Sequence, residues 1–199
     1  MVHPAGHGSL QSSGGEMNTY NRTAAAAYAI KYAFNYNTEW PSDKGLGGDC
    51  TNFVSQALLA GGWTMVKRGT ILGSARDGGS WFSGKAGSNL YKDRSRTWAA
   101  AANFFQYLTW GGRAKPCTPD DLALGDVVQL RKFNIIHHTM IVTGLLPTSI
   151  RSKTIALLTY HSTDTLQKPI TAIGTEYMMC WKISDRFEGK VPYVLPRAG

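Results

Sequence analysis

The sequence predicts an α+β domain, with helices first and an antiparallel β-sheet after them. Three observations carry this. Apolar residues recur at helical spacing in the first half, over 22–34, from Cys50 to Gly61, and over 97–109. The second half changes to β-rich runs at 125–133, 138–146, 153–161 and 176–183, separated by turn residues. Glycine pairs, Gly61-Gly62 and Gly111-Gly112, stand as stops after the second and third helical stretches. Helices followed by a run of strands is the α+β pattern.

Residues 1–20 read as a disordered leader or cloning remnant, because MVHPAGHGSLQSSGGEMN has no charged-then-apolar signal pattern. Residues 21–199 read as one folded domain. In the first helix Ala25, Tyr28, Ala29, Tyr32 and Ala33 share a face. A loop rich in Asn, Pro, Ser, Asp and Gly runs from Asn35 to Gly48. Phe53, Val54, Ala57 and Leu58 give the second helix its apolar face. Residues 64–95 are dense in Gly, Ser and charge and read as a long irregular insertion, often a functional loop in a compact domain.

Composition narrows the function classes. Apolar residues make up 43% of 199, enough for a core without metal or disulfide staples. The net charge of +8 favours anionic surfaces such as nucleic acid, acidic polymers or an anionic cell wall. The basic residues are spread out and no nucleic-acid motif accompanies them, so they read as a solvated surface and no nucleic-acid partner is expected. Cys50, Cys117 and Cys180 lack zinc spacing, and an odd count leaves at least one free thiol. A Cys117–Cys180 bridge cannot be argued from spacing. No apolar run approaches the ~18 residues of a membrane-spanning helix.

The chemistry concentrates in GGDCTNFVSQ at 47–56. A thiol in the first turn of a helix sits at the positive end of the dipole, which favours the thiolate. The preceding glycines allow close backbone approach, and Asp49 stands where an N-cap belongs. Alone, the pattern is better read as a small buried hydrophobe, the commonest fate of a free Cys. A histidine partner changes that. The strand HTMIVTG begins at His138; alternation groups His138 with Met140 and Val142, and His137 with Thr139 and Ile141. The next strand ends in His161, with Asp164 just beyond. A hairpin centred near Ile150 places residue 138 opposite about residue 162, so His161 is expected beside the start of the His138 strand. A base held by a third polar group is what nucleophilic catalysis needs, and His161 or Asp164 would be that group.

These residues resemble a known family. GGDCTNFVSQ followed by ALLAGGWTM, with LALGDVVQL, HHTMIVTG and TYHSTDT in order over roughly residues 20–183, resembles the putative amidase domain family of bacterial proteins. More distantly it is similar to the NlpC-type and CHAP cysteine amidohydrolases. The resemblance implies a papain-like core, a Cys on a helix packed against the sheet, and a His on the sheet oriented by a second His. HTMIV matches the HVGIY-like strand and selects His138 over His137; TYHST selects His161. It implies a cysteine amidase or peptidase acting through an acyl-thioester, with Cys50, His138 and His161 as catalytic residues and neither metal nor cofactor required. Peptidoglycan is the expected substrate, with an extracytoplasmic location and a monomeric state. The oxyanion would be held by the Cys50 backbone N–H and one further donor, for which Tyr36 is a candidate. Rival readings are a toxin or effector acting on a protein, opposed in that case by an immunity partner, a cysteine acyltransferase, and a non-catalytic wall-binding domain.

Overall fold

The structure, a computed structural model, describes residues 17–69, 76–90, 92–110, 112–150, 153–174 and 176–188. Helix α1 spans Arg22–Lys31, α2 Cys50–Ala60, α3 Arg96–Ala99 and α4 Ala101–Trp110. The strands are β1 (Met17–Thr19), β2 (Ala114–Cys117), β3 (Val127–Lys132), β4 (Ile135–Pro147), β5 (Thr154–Tyr160), β6 (Thr165–Pro169), β7 (Tyr177–Ile183) and β8 (Arg186–Glu188). Strands β2-β7-β3-β4-β5-β6 form an antiparallel sheet in that order; β1 and β8 pair separately. The α+β class is as the sequence predicts, and the helices precede the six-stranded sheet, with the short strand β1 standing before them.

Local chemistry sets the boundaries. Asn21 caps α1 through a bond from the Ala24 N–H. Helix α2 starts at Cys50 and stops at Gly61-Gly62, where Gly62 takes φ +97°. The third expected helix divides in two, because Ala100 is extended (φ −111°, ψ 127°). The expected leader is corrected at its end: β1 pairs with β8, and Tyr20 is buried with its hydroxyl bonded to the Gly125 carbonyl at 2.8 Å. Residues 1–16 lie outside the described residues. So do 70–75 and 91 of the irregular insertion, whose described part holds isolated bridges, Val66–Trp81 and Ser83–Arg94.

The sheet buries both faces. One packs on the helices through Val127, Ile141, Trp181 and Ile183 against Phe53, Val54, Ala57 and Leu58 of α2 and Phe104 and Leu108 of α4. The other carries Val128, Leu130, Met140, Val142 and Leu158 beneath Leu122 and Ile170. Helix α2 is buried along Cys50–Leu58, so its polar residues need partners inside. Thr51 Oγ1 lies 2.9 Å from Thr139 Oγ1 on β4, Ser55 Oγ donates to the Trp98 carbonyl, and Asn52 Oδ1 accepts from Trp98 Nε1. Trp63, Trp81 and Trp98 are core residues around this helix.

Candidate active site

The loop before α2 fixes its first residue. Gly47 and Gly48 take φ +109° and +117°, a region L side chains avoid, and a Cβ on Gly48 would lie 2.7 Å from Ser162 Oγ. Asp49 precedes the helix but makes no side-chain cap bond to it. Its carboxylate is instead a hub. Oδ1 accepts from the Asp43 N–H at 2.7 Å and from Asn52 Nδ2 at 2.8 Å, while Oδ2 lies 2.7 Å from His161 Nδ1. Cys50 follows, 6% exposed, with Sγ 3.8 Å from Thr51 Oγ1. The N–H groups of the first turn lack intrahelical partners, as at every helix start.

Cys50 opens on a cavity of about 340 Å³ lined also by Asp43, Gly48, Arg94, Arg96 and His137. His137 Nε2 lies 2.7 Å from Glu176 Oε2, at side-chain exposures of 40% and 30%. That cavity is therefore bordered by a thiol at a helix start and an imidazole paired with a carboxylate.

His138 occupies a different position, and the expectation that it is the histidine turned toward Cys50 is corrected. Thr139 and Ile141 face α2, so the residues in phase with Met140 and Val142 face away. His138 lines a second depression of about 760 Å³ with Tyr160, Glu176 and Lys168, its ring edge-on to Tyr160 at 5.0 Å. Burial, with His137 nearby, pushes its pKa down to about 4. A β-bulge contributes: Leu130 pairs with His138 but Arg131 with Ile136, leaving His137 as the extra residue. The two rings remain 6.4 Å apart, and His137 borders both depressions.

His161 is not bonded to His138 and does not orient it. The register is as expected, Ile141 opposite Thr159, but it puts His161 in phase with Thr139 rather than with His138. Its ring is 2% exposed and stacked between Tyr36 and Phe53, with centroids at 4.0 and 3.9 Å. Nε2 donates to the Tyr32 carbonyl at 2.8 Å, and Nδ1 lies 2.7 Å from Asp49 Oδ2. Both nitrogens are engaged, so this ring ties α1, β5 and the start of α2 together. Asp164 accepts from the Tyr36 hydroxyl at 2.8 Å. Both residues line a third depression of about 550 Å³ that shares Gly47 and Gly48 with the Cys50 cavity. Tyr36 does not line the Cys50 cavity.

A profile described as a putative amidase domain matches residues 19–183, from the last residue of β1 to the last of β7. The chain belongs to the putative amidase domain family. A relative, the uncharacterized protein YjcM of Bacillus subtilis (strain 168), is 32% identical over 165 residues, covering 75% of this chain and 32% of the relative. The chain thus spans about a third of that relative's length. No solved structure matches the chain. Membership of an amidase family points to hydrolysis of amide bonds.

Within this amidase-family domain the other two cysteines sit opposite each other on β2 and β7, as free thiols. Burial pushes Cys117 up to about 11 and Cys180 up to about 12, leaving both poor nucleophiles near neutral pH. Among the described residues no helix is long and apolar enough to cross a membrane, and no three His, Cys, Asp or Glu side chains gather as metal ligands. Glu176, Asp49 and Arg94 were not expected at the site as partners of these groups. Asp49 lay in the motif itself. Glu176 becomes legible only once β3 is known to sit between β4 and β7, with Arg131 opposite both Ile136 and Tyr177.

Proposed function

We propose that this domain is a papain-like cysteine amidase in which Cys50 is the nucleophile and His137, held by Glu176, is the base. The observation that carries the reading is the shared cavity of Cys50 and His137, with Cys50 at the start of a buried helix. His137 takes the thiol proton, and the sulfur attacks the amide carbonyl. The developing oxyanion meets the unpaired N–H groups of the first turn of α2. His137 returns the proton to the leaving amine, and water then releases the acyl group from sulfur. The Nε2–Glu176 bond leaves Nδ1 for this exchange.

Peptidoglycan is the proposed substrate, supported by the +8 charge and by the likeness of the Cys segment to wall-acting cysteine hydrolases. The test is digestion of purified peptidoglycan with mass spectrometry of released fragments. Cys50→Ala should lose about 10³-fold or more, as loss of a nucleophile does. His137→Ala should lose about 10²- to 10⁴-fold, and His138→Ala much less. A greater loss from His138→Ala than from His137→Ala would reject the assigned base.

A further inference from the structure

The Cys50 cavity holds a cation that the amide chemistry does not use. Arg94 lies in the irregular segment before α3 and lines the cavity with Cys50. Its side chain is 9% exposed. Nη2 donates to Asp43 Oδ1 at 2.7 Å, while Nη1 is buried with no hydrogen-bond partner among the described residues. A buried guanidinium N–H left unpaired is costly, so such groups are normally satisfied. Asp43 occupies one arm of the guanidinium fork and leaves the other arm's donors over. Planar carboxylates fit that fork. Arg96 borders the same cavity and adds a second positive charge beside it.

We infer that Arg94 is a specificity-determining residue that binds a carboxylate of the substrate next to the scissile amide. This rests on the reading of Cys50 as nucleophile and extends it to substrate class: an amide flanked by a free carboxylate, from a chain end or an acidic side chain. The fixed Asp43–Arg94 pair holds the guanidinium in place before substrate arrives, so little side-chain freedom is lost on binding.

The test uses alkylation of Cys50, located by mass spectrometry, with iodoacetate and with neutral iodoacetamide. In each reaction the thiolate forms a C–S bond and iodide leaves, so the reagents differ mainly in the carboxylate. In the wild type the iodoacetate-to-iodoacetamide rate ratio should exceed that of a free thiol. Arg94→Met should lower the ratio about tenfold, the scale of one charge-assisted hydrogen bond. The charge-matched Lys115→Met, on β2, should leave the ratio unchanged. A second measurement needs no variant: N-acetylalanine (terminal carboxylate) and N-acetylglutamate α-amide (side-chain carboxylate) compete with iodoacetamide on the wild type, against neutral N-acetylalanine amide. Protection by one or both acids, and not by the amide, supports the subsite and names its source. Equal protection by the neutral amide, no protection, or a ratio that Arg94→Met does not move overturns the subsite alone. If neither reagent labels Cys50, the nucleophile is overturned and the subsite with it.

Discussion

The choice between His137 and His138 shows what single residues reveal and conceal. Alternation puts His138 in phase with Met140 and Val142, opposite Thr139 and Ile141, but the bulge leaves His137 outside that phase. What alternation cannot supply is which face α2 covers. Met140, Ile141 and Val142 are all 0% exposed, so β4 is apolar on both sides. Polarity therefore gives no sign of which side is which, and a bulge at His137 further blurs the phase. Burial gives His138 a separate, measurable consequence. Its pKa is depressed to about 4 from the ordinary 6.5, so the unfolded chain takes up this proton before the folded one does. Stability should be unaffected by this group above pH 6.5 and fall on acidification from about 6.5 to about 4, by at most about 1.4 kcal/mol per pH unit. Urea titrations across that window check it. His138→Gln should flatten the slope there; a slope unchanged in the variant would assign the effect to other groups.

At the scale of elements, the helices and central strands were legible because each carries its own period and its own stops. The edges were not. Strand β2 contains Pro116, which argues against a strand until its place at the sheet edge is known. Strand β6 holds Gln167 at φ +53°, breaking the pattern a sequence reading seeks. The Cys motif was legible for the opposite reason: its two glycines have a mechanical function that needs no tertiary knowledge. Gly48 is the stricter of them, because it combines φ +117° with the near contact to Ser162. Gly48→Ala should cost about 1–3 kcal/mol through backbone strain and should also displace the start of α2. Two measurements decide this: the denaturation midpoint and the iodoacetamide rate at Cys50. Loss of stability with an unaltered Cys50 rate would show that the loop strain does not reach the nucleophile.

For the molecule as a whole, the question is what keeps α1 against a sheet that follows it by a hundred residues. Apolar contact accounts for part, through Ala25 and Ala29. The rest is polar and was invisible in the sequence, because its members are far apart along the chain. Arg22, the first residue of α1, donates to Asp126 at 2.6 Å, to the Leu124 and Ile183 carbonyls, and to Asp185. Asp126 is fully buried beside β3 and also accepts from the Ala123 and Ile183 N–H groups and pairs with Lys182 at 3.3 Å. One carboxylate thus joins the start of α1, the turn before β3 and the end of β7. Removing one partner of such a pair leaves the other uncompensated, which typically costs about 3–5 kcal/mol. Asp126→Ala should therefore destabilise by that order, whereas Lys153→Ala, which breaks the exposed pair with Asp120, should cost far less. Chemical denaturation of both variants tests the contrast. Helix α1 also reaches the Cys50 loop, since His161 bonds both Tyr32 at the end of α1 and Asp49, the residue before α2. Asp126→Ala should accordingly slow iodoacetamide labelling of Cys50 or make it less selective at temperatures where the wild type is still fully folded, and cooling should restore the wild-type behaviour, because the damage lies in docking α1.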